Sequence, residues 1–198
     1  TWTAAHNKLS TWTQDELAAI RNRHRTQPDP SKYITPEHVK TSNQSFPTSW
    51  DWISLGCVNP IQDQGQCGSC WAFSGIAAME SAHAIFHSTL PNLSEQQLVS
   101  CSSAYGNSGC NGGWYYWAWD YATVTPVTTE ATYPYTSGKL GLTKACTYVA
   151  GSGIMYDLSQ TDTATDTASI VAAITLQPQA VAIEADQPVF QNYVSGVI

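Results

Sequence analysis

Residues 61–74 read Ile61-Gln62-Asp63-Gln64-Gly65-Gln66-Cys67-Gly68-Ser69-Cys70-Trp71-Ala72-Phe73-Ser74, and the change of character at Cys70 organises the rest of the chain. Before it lies a loop rich in Gly and Gln. From Cys70 to His87 the run CWAFSGIAAMESAHAIFH holds no proline and carries apolar residues at helical intervals, which predicts the longest helix of the chain. Pro91 bars its continuation. A cysteine therefore opens a long helix, where the positive end of the helix dipole favours an anion by about 1–2 kcal/mol.

Working outward, residues 15–25 (DELAAIRNRHR) combine helix formers with Leu17 and Ile20 three apart and Thr13 as a cap, and predict a helix. Residues 25–69 are rich in Pro, Gly, Asn and Ser and read as extended loop. Ser94-Glu95-Gln96-Gln97 is a capping-box pattern that should open a short helix ending near Cys101. Gly112-Gly113 precedes the aromatic run Trp114-Tyr115-Tyr116-Trp117-Ala118-Trp119, read as a helix whose rings mostly fill core. Residues 125–179 are Thr-rich with few signals, and Ala180-Val181-Ala182-Ile183-Glu184-Ala185 reads as a buried strand. Helices first and a strand later indicate an α+β fold in two layers or lobes.

A chain of 198 residues holds one domain with a sizeable core, or two small lobes. With 42% hydrophobic and only 12% charged residues it is not a disordered, charge-rich chain. No stretch approaches the ~20 uninterrupted apolar residues of a membrane span. The net charge of −7 argues against nucleic acid as a partner. Residues 1–45 carry six basic and four acidic side chains (net +2), whereas residues 46–198 carry two and eleven (net −9). The boundary falls in Thr41-Ser42-Asn43-Gln44-Ser45. The basic leader is expected to sit against the acidic body at neutral pH and to loosen as carboxylates protonate. The chain starts at Thr1 without a hydrophobic signal stretch and stops at Val197-Ile198 within what reads as a strand, so it is expected to be a segment of a longer precursor.

Six cysteines, Cys57, Cys67, Cys70, Cys101, Cys110 and Cys146, admit three readings. They are a disulfide framework with one reactive thiol, a zinc site on Cys67, Cys70, Cys101 and Cys110, or a redox pair of Cys67 and Cys70. A redox pair would follow a strand, and a Gly/Gln loop stands there instead. A zinc ribbon would want a second close pair, and Cys101 and Cys110 are nine apart. The sequons at Asn43 and Asn92 add weak support for a secretory route.

The Cys-Gly-Ser-Cys-Trp motif at 67–71 resembles the nucleophile signature of the papain family of cysteine peptidases, cathepsin L-like branch. Further landmarks follow in family order: Asp51-Trp52, Val58-Asn59-Pro60, Leu93-Ser94-Glu95-Gln96, Gly109-Cys110-Asn111-Gly112-Gly113, Tyr133-Pro134-Tyr135 and Tyr193-Val194-Ser195-Gly196-Val197-Ile198. Residues 7–17 are similar to the end of a family propeptide, with Ala5, Leu9 and Thr11 where relatives usually have Gly, Phe and Asp. The resemblance implies a two-lobe papain-like α+β fold with a helical first lobe. It divides the chain into the C-terminal part of an inhibitory propeptide (1–45) and a peptidase domain (46–198) truncated before its catalytic His and Asn.

By the same resemblance Cys70 is the nucleophile, and the Gln64 amide and the Cys70 N–H donate to the oxyanion, where one such donor is worth about 2.7–4 kcal/mol. Gly68, Gly112 and Gly113 would let substrate backbone approach, and Trp114, Tyr115 and Ala182 would line the pocket for a bulky apolar side chain. The implied disulfides are Cys67–Cys110 and Cys101–Cys146, leaving Cys57 over. No metal or cofactor is implied. The expected partners are protein and peptide substrates and the chain's own propeptide, on a monomer in a lysosome or other acidic vacuole, or secreted. The short interval from Cys101 to Cys110 has no cleft-blocking insertion and favours an endopeptidase.

A thiol near its ordinary pKa of about 8.5 is almost wholly protonated at acid pH, and family thiols reach about 3–4 by pairing with an imidazolium. His6, His24 and His38 lie in the leader, and His83 stands thirteen residues along the helix of Cys70, about 20 Å away. His87 is farther. The i, i+4 pair of His83 and His87 reads as a solvated helix face rather than a metal site. The chain as given is therefore expected to lack its base and to be inactive. The competing reading is a non-catalytic pseudo-peptidase that binds without cleaving.

Overall fold

The computed structural model describes residues 2–21, 46–157 and 159–196. The leader boundary at 41–45, the sequon at Asn43, His24 and His38 lie outside the described residues, as does the expected end of the leader helix at 22–25. The leader begins with strand β1 (Trp2–Ala4), passes through a 3-10 turn (Lys8–Thr11) and forms helix α1 (Gln14–Ile20). Thr13 caps α1 reciprocally: its hydroxyl accepts from the Glu16 N–H, and the Glu16 carboxylate accepts from the Thr13 N–H.

Helix α2 (Cys70–His87) spans the predicted run and ends at Ser88, a non-glycine residue in the left-handed region at φ 56°. Helix α3 (Glu95–Cys101) starts at Ser94, whose hydroxyl accepts from the Gln97 N–H. The return half of that capping box is missing, because the Gln97 side chain is drawn to the Tyr121 hydroxyl and the Pro126 carbonyl, at 3.0 and 3.1 Å. Helix α4 (Tyr115–Val124) carries the aromatic run, with Trp114 at its N-cap.

Helices α3 and α4 pack against α2, and Ile76, Met79, Leu98, Ala118 and Tyr121 fill the space between them. Burying each of the larger aliphatic side chains is worth about 1.5–3 kcal/mol. Trp119 locks α4 to α2 by donating from Nε1 to the Gly75 carbonyl at 3.1 Å. Among the described residues no helix is long and apolar enough to cross a membrane.

The later part departs from the sequence reading twice. Helix α5 (Thr167–Leu176), capped by Asp166 through the Ser169 N–H, arises within a stretch that carries few signals. The expected buried strand at 180–185 is not one: the segment is irregular, with Val181 66% and Ile183 58% exposed. Among the described residues no strand lies beside it to complete a ladder, and a lone strand has nothing to hold it. A short helix α6 (Pro188–Gln191) leads into strand β2 (Tyr193–Gly196), which pairs antiparallel with β1. Trp2 faces Gly196, Thr3 faces Ser195 and Ala4 faces Tyr193, with an irregularity after Thr3. The start of the leader is thus bonded to the end of the described chain.

Beneath this framework lie three carboxyls. Burial pushes the Glu95 carboxyl up to about 8, and the charges of Glu130 and Glu80 push the same way. Burial also raises Glu80 and Glu130. A carboxyl whose folded pKa exceeds its unfolded value of 4.5 holds its proton better in the folded state. Its contribution is full below 4.5 and is lost as pH climbs toward 8. Thermal unfolding of the chain should therefore move down by roughly 5–10 °C between pH 4.5 and pH 8, and Glu95→Gln should flatten most of that slope. Scanning calorimetry at the two pH values checks this, and an equal melting temperature at both would overturn it.

Candidate active site

Cys70 stands at the first position of α2, placed by the chain on either side of it. The Gly68 N–H donates to the Cys110 carbonyl at 3.0 Å, beside the Cys67–Cys110 disulfide. The Trp71 indole N–H reaches the Gly109 carbonyl at 3.2 Å. Three contacts, at residues 67, 68 and 71, thus pin this segment to the 109–110 turn. The disulfide spans a sequence separation of 43, worth about 4 kcal/mol in the chain-entropy treatment. Cys101–Cys146 is the second disulfide, and Cys57 and Cys70 belong to neither.

Gln64 sits across the loop from Cys70. Its side-chain amide donates to the Cys67 carbonyl at 2.8 Å, which aims the group, and to the Ile20 carbonyl of the leader, also at 2.8 Å. The amide thus already offers a hydrogen to a carbonyl oxygen lying in the cleft. Both Gln64 and Cys70 line a cleft of about 850 Å³. Trp71, Gly113, Trp114 and Tyr115 form one side of it, and the irregular run of Val181, Ala182 and Ile183 contributes to its lining as well. The segment expected as a buried strand is thereby a cleft lining, and the sequence-predicted Trp114, Tyr115 and Ala182 share one cavity.

The leader supplies a further part of the lining through Leu9, Leu17, Ala18, Ile20 and Arg21. Its backbone passes directly over Gly68: a Cβ there would lie 2.6 Å from the Cys110 carbonyl oxygen, 2.9 Å from that of Ala19 and 3.1 Å from that of Arg21. Among the described lining residues none is a histidine. The His83 and His87 rings lie tilted against each other with centroids 4.6 Å apart near the opposite end of α2, with His83 Nδ1 donating to the Thr89 carbonyl at 2.8 Å. Among the described residues no three His, Cys, Asp or Glu side chains converge on a metal position.

Gly112 takes φ 110°, a left-handed value suited to glycine. Gly113 is needed for a reason unseen in the sequence. A Cβ on it would fall 2.2 Å from Asn107 Oδ1 and 2.8 Å from the Trp71 ring. Asn107 is buried and uses that oxygen to accept the Trp114 N–H at 2.8 Å, while its amide nitrogen donates to the Ser102 hydroxyl. Asn107 therefore sets the glycine turn that walls the cleft. Its sequence context, Gly106-Asn107-Ser108, reads only as a turn.

Charge contributes at the rim. Lys8 contacts Asp63 at 2.5 Å and Arg21 approaches Asp186 at 3.7 Å. The hydrogen bond from Lys8, joined by the Gly65 N–H, lowers the Asp63 carboxyl below its usual value.

Residues 46–198 match the family described as Papain family cysteine protease. The chain is 36% identical over 200 residues to Digestive cysteine proteinase 2 of Homarus americanus, covering 100% of this chain and 60% of that protein. To Procathepsin L of Mus musculus it is 35% identical over 193 residues, covering 96% and 56%. A solved digestive procathepsin L2 proteinase from Tenebrio molitor larval midgut superposes with a TM-score of 0.83 at 29% identity, covering 100% of this chain and 64% of that one. The chain thus spans about three fifths of the length of these relatives.

The crowding at Gly113 yields a measurable cost. Gly113→Ala should destabilise the chain by about 1–3 kcal/mol, the range for forcing a methyl into a packed site. Urea unfolding followed by tryptophan fluorescence measures it, and an unchanged midpoint would show that Asn107 and Trp71 yield freely.

Proposed function

The chain belongs to the papain family of cysteine proteases, and from that premise we propose that it is part of a cysteine endopeptidase precursor whose nucleophile is Cys70. The observation that carries the reading is the Gln64 amide, which holds a backbone carbonyl in the cleft it shares with Cys70. A peptide carbonyl attacked by the Cys70 thiolate would place its developing oxyanion where such a donor is already aimed. The first-turn N–H groups of α2 project from the same end. Gly113 lets substrate backbone lie against the turn, and Trp114, Tyr115 and Ala182 receive an apolar side chain.

Residues 2–21 act in this proposal as an inhibitory leader belonging to a propeptide of residues 1–45. They line the cleft through Leu9, Leu17, Ala18, Ile20 and Arg21 and pair with β2. A leader carbonyl at Gln64 cannot be cut there, because hydrolysis also needs a general base and the described cleft has no histidine. We propose that the base comes from outside the described residues and that the 198-residue chain alone does not turn over substrate. Proteins and peptides are the substrates, with no metal or cofactor. The two disulfides favour an oxidising route to a lysosome, an acidic vacuole or secretion.

Acid release of the leader has a narrow electrostatic basis in the contacts seen. A carboxylate held below its usual 3.8 keeps its ion pair as pH falls to that value and loses it only below. The Lys8–Asp63 pair is mostly exposed, and such pairs are weak. Loosening near pH 4.5 must then come from other groups.

Active-site labelling tests the proposal. A peptidyl epoxide should alkylate Cys70 at acid pH in the protein expressed from its natural start to its natural stop, once the leader is removed. Cys70→Ser should abolish it, and the 198-residue chain should label at least ~100-fold more slowly. Absence of labelling in the processed natural protein would instead identify a binding homologue.

A further inference from the structure

We propose that Tyr135 is a positioning residue for the oxyanion donors: one phenol holds both the loop that carries Gln64 and the residue that precedes Cys70. The inference deepens the thiol-peptidase reading and rests on it. The Tyr135 hydroxyl donates to the Gln64 carbonyl at 2.9 Å and lies 2.7 Å from the Ser69 hydroxyl. A carbonyl can only accept, so the phenolic proton points to Gln64 and Ser69 donates to the phenol oxygen. The result is a directed chain from Ser69 through Tyr135 to Gln64, closing the five-residue gap between the two attachments of the donor pair.

Ser69 shows what that chain changes. It occupies the N-cap of α2, where a serine hydroxyl ordinarily accepts a first-turn N–H. Here it makes no capping bond, and its hydroxyl is turned to Tyr135. The N–H groups of Ala72 and Phe73 turn instead to the Ser69 carbonyl, at 2.8 and 3.2 Å, so the residue before Cys70 is held by its backbone to α2 and by its side chain to Tyr135.

Tyr135 is in turn held from behind. Phe73 of α2 meets its ring edge-on at 4.9 Å, and its N–H donates to Glu130 Oε1 at 2.7 Å. The next two N–H groups, of Thr136 and Ser137, both donate to the buried Gln96 Oε1, at 2.7 and 2.9 Å. Gly138 completes the fit, since a Cβ there would lie 2.8 Å from both the Gln64 carbonyl oxygen and the Tyr135 ring. Burial keeps the phenol protonated, with its pKa pushed up to about 12, so it remains a donor at every pH relevant to the proposed enzyme.

Tyr135→Phe in the natural, processed protein removes the hydroxyl and leaves the ring against Phe73. Expected is a roughly 10–100-fold fall in kcat with KM within about twofold, because the loss falls on the charge that develops only in the transition state. Alkylation of Cys70 by iodoacetamide, which forms no oxyanion, should stay within about threefold of wild type. Ser69→Ala breaks one arm only and should cost about 3–10-fold in kcat, giving an answer even if Tyr135→Phe does not fold. An unchanged kcat, or parallel losses in kcat, KM and alkylation, would overturn the positioning role. A processed wild type without turnover would overturn the peptidase reading itself and this inference with it, a failure visible before any variant is made.

Discussion

Two adjacent glutamines, Gln96 and Gln97, lie wholly out of solvent, and each amide bond left unmade there costs about 1–3 kcal/mol. That constraint shapes the molecule. Gln97 answers it with the Tyr121 hydroxyl, the Pro126 carbonyl and the Thr128 N–H. Gln96 answers it with the Thr136 and Ser137 N–H groups and with the hydroxyls of Ser100 and Ser137. Residues 126–136 make only isolated bridges, Val127 with Met155 and Thr129 with Leu93, and two side chains of α3 add the bonds that a longer ladder would supply elsewhere. From there the order passes to the cleft, through Tyr135 to Gln64 and through the Gly138 carbonyl to the Gln66 N–H at 2.8 Å. The proposed donor site is supported by a chain of neutral hydrogen bonds that starts in the core.

The leader is held in the same neutral currency. Asn7 donates to the Gln191 carbonyl at 2.8 Å, the Ala5 N–H to the Asn192 carbonyl at 3.2 Å, and the Gln64 amide to the Ile20 carbonyl. Against these the two rim ion pairs are minor, although the net charges of leader and body have opposite signs. Two of the three hydrogen bonds use the leader's backbone and are indifferent to its side chains, and the third needs only Asn7. A leader can therefore differ at Ala5, Leu9 and Thr11 from the usual pattern of relatives and still lie in the cleft.

Much of this was legible in the residues. The span of α2 follows from a proline-free apolar run between a Gly/Gln loop and Pro91, the start of α3 from Ser94, and the cap of α1 from Thr13. The pairings Cys67–Cys110 and Cys101–Cys146 were reached through the resemblance, since nothing in the spacing alone matches one cysteine with another. The failures have physical causes. Helix α5 was masked by flanking threonines and serines, which favour caps and turns over helix interiors, although Asp166 was its cap. Residues 180–185 have strand composition, but a strand is a property of a pair, and no neighbour is present among the described residues. Asn107 and Tyr135 were invisible as site residues because each acts through another residue: Asn107 through Trp114, across the intervening glycine turn, and Tyr135 through Gln64, 71 residues away.

Strand β2 has all four residues exposed and, among the described residues, only β1 to bond with. Pairing with the leader covers a row of peptide groups that would otherwise act as a template for any extended chain that met it. In the proposed reading the leader is then a guard against self-association as well as a wall of the cleft. Where it is withdrawn, the molecule exchanges an intramolecular partner for an open edge, and protein concentration becomes a variable in its behaviour.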